Sequence, residues 1–288
     1  MPLIDREKQT AIHDEIMRAY ALRDEANDLL DEADALLHQE LGLPRFDENA
    51  VPYLAPPSTA IAHGLTMPHP RAFTITAAAL DDRLDASYHV PVVRTVVNLL
   101  GQGTYPTVRL RQIAESVSMP PRFKRIYVPK EHGIPFLRPS HLPQIRPFDL
   151  GYLSKLTDVL DALVLKKGDV LVTTDGAIGR IDLVSSRIAG WAGSNNIARV
   201  AYGNDDGRNG FLAAFLSTPY GYYQLTREIY GGVVDHIEPP QIENIWIPDA
   251  PPAVQVAIGQ RVVSACEKKW QATAIEETVI EQLESVLG

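Results

Sequence analysis

A single cysteine, Cys266, stands among the 288 residues. It excludes an internal disulfide and a cysteine-built zinc site, and it leads us to expect a reducing cytoplasm. Long apolar runs are missing too. Nothing approaches the roughly 20 residues that cross a bilayer, and residues 1–7 lack the apolar stretch of a secretory signal. Motifs for catalysis are equally scarce. There is no Gly-Lys-Ser/Thr phosphate loop and no Gly-x-Ser-x-Gly elbow, and Gly101-Gln102-Gly103 lacks the third glycine of a cofactor loop. A non-enzymatic chain without a cofactor or metal of its own is the expectation.

What the chain has in excess is acid: the net charge is −9. That figure argues against nucleic acid until it is divided along the chain. Residues 1–44 carry 4 basic and 11 acidic side chains, residues 81–250 carry 18 of each, and residues 251–288 carry 3 and 5. The acidity therefore lives at the two ends. Inside the neutral middle, residues 109–146 hold Arg109, Arg111, Arg122, Lys124, Arg125, Lys130, Arg138 and Arg146 against only Glu115 and Glu131. A local excess of this kind is the electrostatic footprint that attracts a phosphate backbone.

The two acidic ends are copies of each other. Residues 2–42 align without a gap to residues 248–288, with Gln9/Gln255, Ala11/Ala257, Ile12/Ile258, Ala19/Ala265, Ala26/Ala272, Leu37/Leu283, Leu41/Leu287 and Gly42/Gly288 identical. Ile12, Ile16, Ala19, Ala26, Leu30, Ala33 and Leu37 follow alternating three- and four-residue steps, the seam of a coiled coil, interrupted only by Arg23. Small residues at every seventh position let two backbones approach closely. Each copy predicts a helix of about 30 residues, roughly 45 Å long, stopped by Gly42 with Pro44 beyond it, or by Gly288.

Four regions follow: a long helix over 1–43, a proline-rich linker over 44–80, a globular domain over 81–250 and the repeated helix over 251–288. The linker contains His63 and His69 without acidic or cysteine company, so no metal site is expected there. In the globular region short strands are predicted over 125–129, 134–137, 170–174, 178–183, 196–201 and 243–248, with helical patterns over 211–217 and 220–230. The fold class is mixed α+β, with an antiparallel pair of long helices attached. Tyr222, Tyr223, Tyr230, Trp191 and Trp246 are read as packing aromatics, and Val233 and Val234 as part of a backbone turn.

One segment, Lys167-Gly168-Asp169-Val170-Leu171-Val172-Thr173-Thr174-Asp175-Gly176-Ala177-Ile178-Gly179-Arg180, resembles the glycine-punctuated hairpin of target-recognition domains in type I restriction–modification specificity (S) subunits. Others resemble the same domain in the same order. They are Asp82-Arg83-Leu84-Asp85-Ala86-Ser87-Tyr88 at its opening, Ile134-Pro135-Phe136-Leu137-Arg138-Pro139-Ser140-His141-Leu142 at its centre, and Tyr230-Gly231-Gly232-Val233-Val234-Asp235-His236-Ile237 near its end. Ile247-Pro248 and Gln255-Val256-Ala257-Ile258 then resemble the entry to the conserved helix. Together the segments span nearly the whole chain; the 44–80 linker has no counterpart in the pattern.

The resemblance implies a non-catalytic subunit that reads one half of a split site on double-stranded DNA. It also implies docking to methyltransferase subunits through the helices, and to restriction and translocase subunits through the complex. S-adenosylmethionine, ATP and Mg would belong to those partners. No methyltransferase Asn/Asp-Pro-Pro-Tyr/Phe tetrapeptide is present, which agrees. The order helix, domain, helix supplies one recognition domain where a complete subunit has two. The chain resembles the second half of such a subunit with the preceding central helix, and is either a natural half-subunit that pairs with a second copy through its helices or a truncated form or fragment. Arg122, Lys124, Arg125 and Lys130 are the expected phosphate contacts. Arg138, His141, Thr174, Asp175 and Asn195 are the expected base contacts, by the donor and acceptor types they carry. For Asp175 a turn role competes, as a capping role does for Asn195. A second reading of the whole chain stays open: a coiled-coil adaptor whose globular domain binds protein, for which the 109–146 cations would have no use.

Overall fold

The computed structural model describes residues 5–51, 73–80, 83–231 and 233–287, without the side chains of residues 286 and 287. Pro52, Pro56, Pro57, Pro68, Pro70, His63, His69, Asp82, Gly232 and Gly288 lie outside the described residues.

Helix α1 (Arg6–Leu41) starts where Asp5 accepts a hydrogen bond from the Lys8 amide (2.9 Å). It ends at Gly42, whose φ of 63° is the left-handed stop that glycine adopts without strain. The last helix, α7 (Pro252–Leu287), has the same length of 36 residues, about 54 Å. The two run antiparallel. Arg23 pairs with Glu276, Glu25 with Lys268 and Glu32 with Arg261, so advancing along one helix retreats along the other. The seam is the one written in the repeat: Ala19, Ala26 and Ala33 are buried in α1, and Ala265, Ala272 and Val279 at the aligned positions in α7. Arg23, the interruption, is accommodated by reaching across. Its guanidinium donates to both Glu276 carboxylate oxygens (3.1 and 2.8 Å) and towards the Thr273 hydroxyl (3.4 Å).

Between the helices lies the mixed α+β body. Helix α2 (Pro91–Leu100) buries Val92, Val93, Val96 and Leu100. Strands β1 (Thr107–Arg109), β2 (Ser116–Ser118), β3 (Gly133–Leu137) and β4 (Gly151–Ser154) precede the short α3 (Leu160–Leu163). Strands β5 (Val170–Thr173), β6 (Ile181–Leu183), β7 (Ala192–Gly193) and β8 (Ile197–Ala201) follow. Then come α4 (Asp206–Ser217), α5 (Pro219–Arg227), α6 (Pro239–Glu243) and β9 (Trp246–Pro248). One antiparallel sheet has the order β2-β8-β5-β6, a second has β4-β3-β7 with β3 and β7 parallel, and β1 pairs with β9. Buried Val170, Val172, Ala198 and Val200 of the larger sheet share a core with Phe211, Phe215 and Tyr220, and with Ala33, Leu37, Ile258 and Val262 of the long helices. The body is thus fused to the helix pair at one end. The start of the proline-rich segment packs as well. Phe46 meets Tyr220 and Tyr223 at ring distances of 6.3 and 5.5 Å, and the Tyr220 hydroxyl donates to the Pro44 carbonyl (2.7 Å).

Helices α4 and α7 cross on glycine. A β-carbon on Gly259 would lie 1.7 Å from the Gly207 carbonyl oxygen, and one on Gly210 would lie 2.2 Å from that of Gly259. No side chain fits between the two backbones.

Beside this crossing a cavity of about 360 Å³ is walled by Leu30, Leu37, Ile181, Ala213 and Val262, with Asp182 on its lining. Burial raises the Asp182 carboxyl from 3.8 to about 6, opposed by the hydrogen bond from the Leu183 amide and then by Lys269. The folded chain holds this proton more tightly than the unfolded chain does. The group's contribution to stability therefore falls as pH rises from about 4 to about 6 and stays low above that. Asp182→Asn keeps the acceptor for Leu183 and removes the charge. It should raise stability by about 1–2 kcal/mol at pH 7.5, discounted for partial exposure, with the gain shrinking towards pH 4. Urea unfolding of both proteins at the two pH values checks this; a gain that is the same at pH 4 and 7.5 rules the account out.

Candidate nucleic-acid interface

The hairpin of β5 and β6 is stitched at its tip by Thr173. Its hydroxyl donates to the Ala177 carbonyl (2.6 Å) and accepts from the Arg180 amide (3.0 Å). Gly176 and Gly179 take φ values of 70° and 80°, which turns the chain there. Two other loops are bonded to this tip. The Thr174 amide donates to the Asn196 carbonyl (3.1 Å), which brings in the segment after β7. The Ile237 amide donates to the Thr174 carbonyl (3.0 Å) and the Gly176 amide to the Asp235 carbonyl (3.1 Å), which fastens the turn between Tyr230 and His236.

A fourth segment, residues 119–125, crosses the same surface. Met119 sulfur lies 3.5 Å from the Thr174 hydroxyl, and the Arg125 guanidinium donates to the Asn195 side-chain oxygen (3.1 Å). Arg122 is close enough to Tyr230 to oppose the rise of its phenol pKa that desolvation and then Glu238 produce. Arg125, Asn195, Asp175 and Arg122 therefore share one face, with Thr174 beneath it, although they come from residues 122–195 of the sequence. Arg122, Lys124 and Lys130 are exposed and form no ion pair among the described residues.

The other site residues fall differently. Lys130 opens the short turn before β3, at the far end of that strand from Arg138. Arg138 emerges beside Ser194, whose amide donates to the Leu137 carbonyl (2.9 Å), but its guanidinium is held by the Asp149 carboxylate. His141 is only 1% exposed. Its Nδ1 accepts from the Arg138 amide (3.1 Å) and its Nε2 faces Asp149 (3.1 Å). Burial and then Arg138 push the imidazole below its usual pKa, so it sits as a neutral internal cap of the loop. That position offers no edge to a base. Thr174 is likewise buried, at 1% exposure, with its hydroxyl turned to Met119. The Asp175 carboxylate is hydrogen-bonded to the His236 ring nitrogen Nδ1.

Besides Arg138, two more of the eight cations between 109 and 146 are engaged within the fold. Arg109 stacks on Trp246 at 3.7 Å, and Arg111 donates to the Asn244 side chain (2.5 Å). Tyr230, expected as a packing aromatic, and His236 both lie on the shared face, and Tyr230 is 41% exposed. Their signal in the sequence is the glycine pair Gly231-Gly232 between them, which marks a turn but not what it is fastened to. Among the described residues there is no group of three metal-ligating side chains, and no helix is long and apolar enough to cross a membrane.

With this geometry in place the chain was compared with known proteins. No family model matches it, and no curated protein does. Solved structures do. Its structural neighbours are S subunits of type I restriction–modification systems. A chain from a study of complex assembly and conformational transition of the type I R-M system aligns over 98% of this chain and 55% of its own length, at 15% identity and a TM-score of 0.42. The S subunit from M. genitalium aligns over 55% of this chain and 37% of its own, at 12% identity and a TM-score of 0.40. The HsdS subunit from Thermoanaerobacter tengcongensis aligns over 94% and 56%, at 16% identity and a TM-score of 0.40. This chain thus spans about half of these S subunits or less.

Proposed function

We propose that this chain is a DNA-specificity subunit of a type I restriction–modification complex, reading one half of a split target with its α+β body. The observation that carries the proposal is the shared face built by four loops. It places the exposed cations Arg122 and Arg125 around Asn195, Asp175 and the hairpin tip. Cations of this kind suit phosphates and fix register, while amide and carboxylate groups beside them suit base edges. The sequence motifs of the recognition domain and the repeated flanking helix support the same reading.

In this proposal the helix pair is the dock for methyltransferase subunits. Its outer surface supports that role: Asp24, Asp28 and Asp31 are exposed along α1, and so are Met17 and Tyr20, at 51% and 55%. Restriction and translocase subunits join through the same complex, and S-adenosylmethionine, ATP and Mg act on those partners. We assign this chain no catalytic step. Whether the second half-site is read by a second copy or by another domain is decided by the target itself.

The test is selection from a random DNA library by the chain co-expressed with its methyltransferase. We expect co-purification of the two proteins and enrichment of one short motif, palindromic and split for a pair of copies, asymmetric otherwise. A folded complex that enriches no sequence would overturn the proposal and leave the adaptor reading.

A further inference from the structure

We propose that the loop over 185–191 is a strut that holds the recognition face at one angle to the helix pair, and that Trp191 and Trp270 are positioning residues for the spacing between the two halves of the target. The inference rests on the specificity-subunit reading above and extends it to residues outside the recognition face.

The loop joins β6 to β7 and lies against α7 at three points. The Ser186 hydroxyl lies 2.9 Å from both Glu267 carboxylate oxygens, and the Ser186 amide donates to one of them (3.3 Å). Arg187 is ion-paired with Glu277. Between these, Trp191 meets Trp270 edge to face with ring centres 6.2 Å apart, and both pack on a small core that includes Leu165, Ile188 and Ile197. At about 100° per residue, Glu267, Trp270 and Glu277 form one stripe along α7, about half a turn from the buried Ala265, Ala272 and Val279 of the seam. One side of α7 therefore holds its partner helix, and the other holds the recognition body.

Two attachments fix a direction where one leaves a pivot. The first is the glycine crossing at Gly259. The second, at Trp270, lies about 16 Å further along the helix. The strut also leads directly to the recognition face. The Leu165 amide donates to the Trp191 carbonyl (2.8 Å), and the Gly190 amide donates to the Leu165 carbonyl (2.9 Å). Shortly after Trp191 comes Asn195, bonded to Arg125. In the specificity-subunit reading the other half-site is reached through the same helix pair. The angle of this face to α7 then fixes where the two readers stand along the duplex. Successive base pairs are about 3.4 Å apart, so a small tilt puts the face out of register.

The experiment uses the complex with its methyltransferase and DNA carrying the selected split motif, with the unread spacer lengthened or shortened by one base pair. Wild-type complex should lose about ten-fold or more in affinity at either wrong length, as for a mispositioned base contact. Trp270→Ala should lose less than about three-fold, with both half-site sequences unchanged. Trp270→Phe keeps a ring against Trp191 and should discriminate as the wild type does. Val96→Ala removes a buried contact in α2, away from the strut, and should melt lower with its spacer preference intact. Should Trp270→Ala fail to fold, Ser186→Ala combined with Arg187→Gln, both at exposed positions, takes its place and should relax the preference in part. Unchanged spacer preference in the strut variant, equal relaxation in Val96→Ala, or a selected motif that is not split overturns the proposal while leaving the specificity role intact. Failure of the wild type to select any motif overturns both.

Discussion

Reversing Arg122 and Arg125 together to glutamate should lower the affinity of the complex for its selected DNA by roughly 100-fold or more, the sum expected for two cation contacts replaced by repulsion. The dependence of log affinity on log salt should become shallower by about 2, because each lost phosphate contact removes about one released counterion. Both side chains are exposed, so folding is spared. Lys130→Glu is the internal control. It lies at the far end of β3 from Asn195 and should cost less than about three-fold, as a distant surface charge does. If Lys130→Glu matches the double variant, the binding face is misplaced. If neither changes binding, the cations of this segment serve something other than DNA.

The largest effect on stability should come from Gly259→Ala. Its new β-carbon would meet the Gly207 carbonyl oxygen at 1.7 Å and the Phe211 amide nitrogen at 2.2 Å, and both are backbone atoms that cannot swing aside. Helix α4 must separate from α7, which loosens Phe211, Ile258 and Val262 in the shared core. Overpacking of this severity costs about 3 kcal/mol, equivalent to roughly 6–12 °C in Tm. Gly176→Ala provides the contrast. Its β-carbon would meet no atom within 4 Å, and only the φ of 70° resists it, a cost of about 1–2 kcal/mol. Melting curves should rank the two variants in that order. A Gly259→Ala protein that melts within a degree or two of wild type would mean that α4 and α7 are not packed backbone to backbone.

Both results bear on what the sequence makes legible. The helix pair is readable in advance because its signal is periodic: Ala19, Ala26 and Ala33, aligned with Ala265, Ala272 and Val279, are enough to define a seam. The β5 hairpin was legible for another reason, since Gly168, Gly176 and Gly179 require backbone that other residues resist. Helix α2 gave no such cue. Its run of valines favours strands intrinsically, and it is helical because Pro91 opens it and one face is buried. Strands β2 and β4, at three and four residues, are too short to show a period.

The site was legible in part, by composition more than by position. Arg122, Arg125, Asn195 and Asp175 do share a face. His141 carries the donor and acceptor groups of a base reader, but nothing local reveals that Asp149 and the Arg138 amide enclose it. His236 is the converse case: its partner Asp175 is 61 residues away in sequence. Burial and pairing of single polar side chains are tertiary facts, and no window of sequence contains them.

Arg23 gives the helix pair a property that a wholly apolar seam lacks. It and Glu276 are 17% and 21% exposed in their side chains, far enough from water that either charge alone is costly. Along the seam alone, sliding α1 against α7 by one heptad would keep apolar residues facing each other, because Ala19, Ala26 and Ala33 repeat every seven positions and so do Ala265, Ala272 and Val279. It would, however, strand Arg23 away from Glu276 and Thr273. The interruption in the pattern therefore adds a second fixed point to the shared core at one end, and the two together give two rods of 36 residues a single overlap, as a caliper locked at one setting.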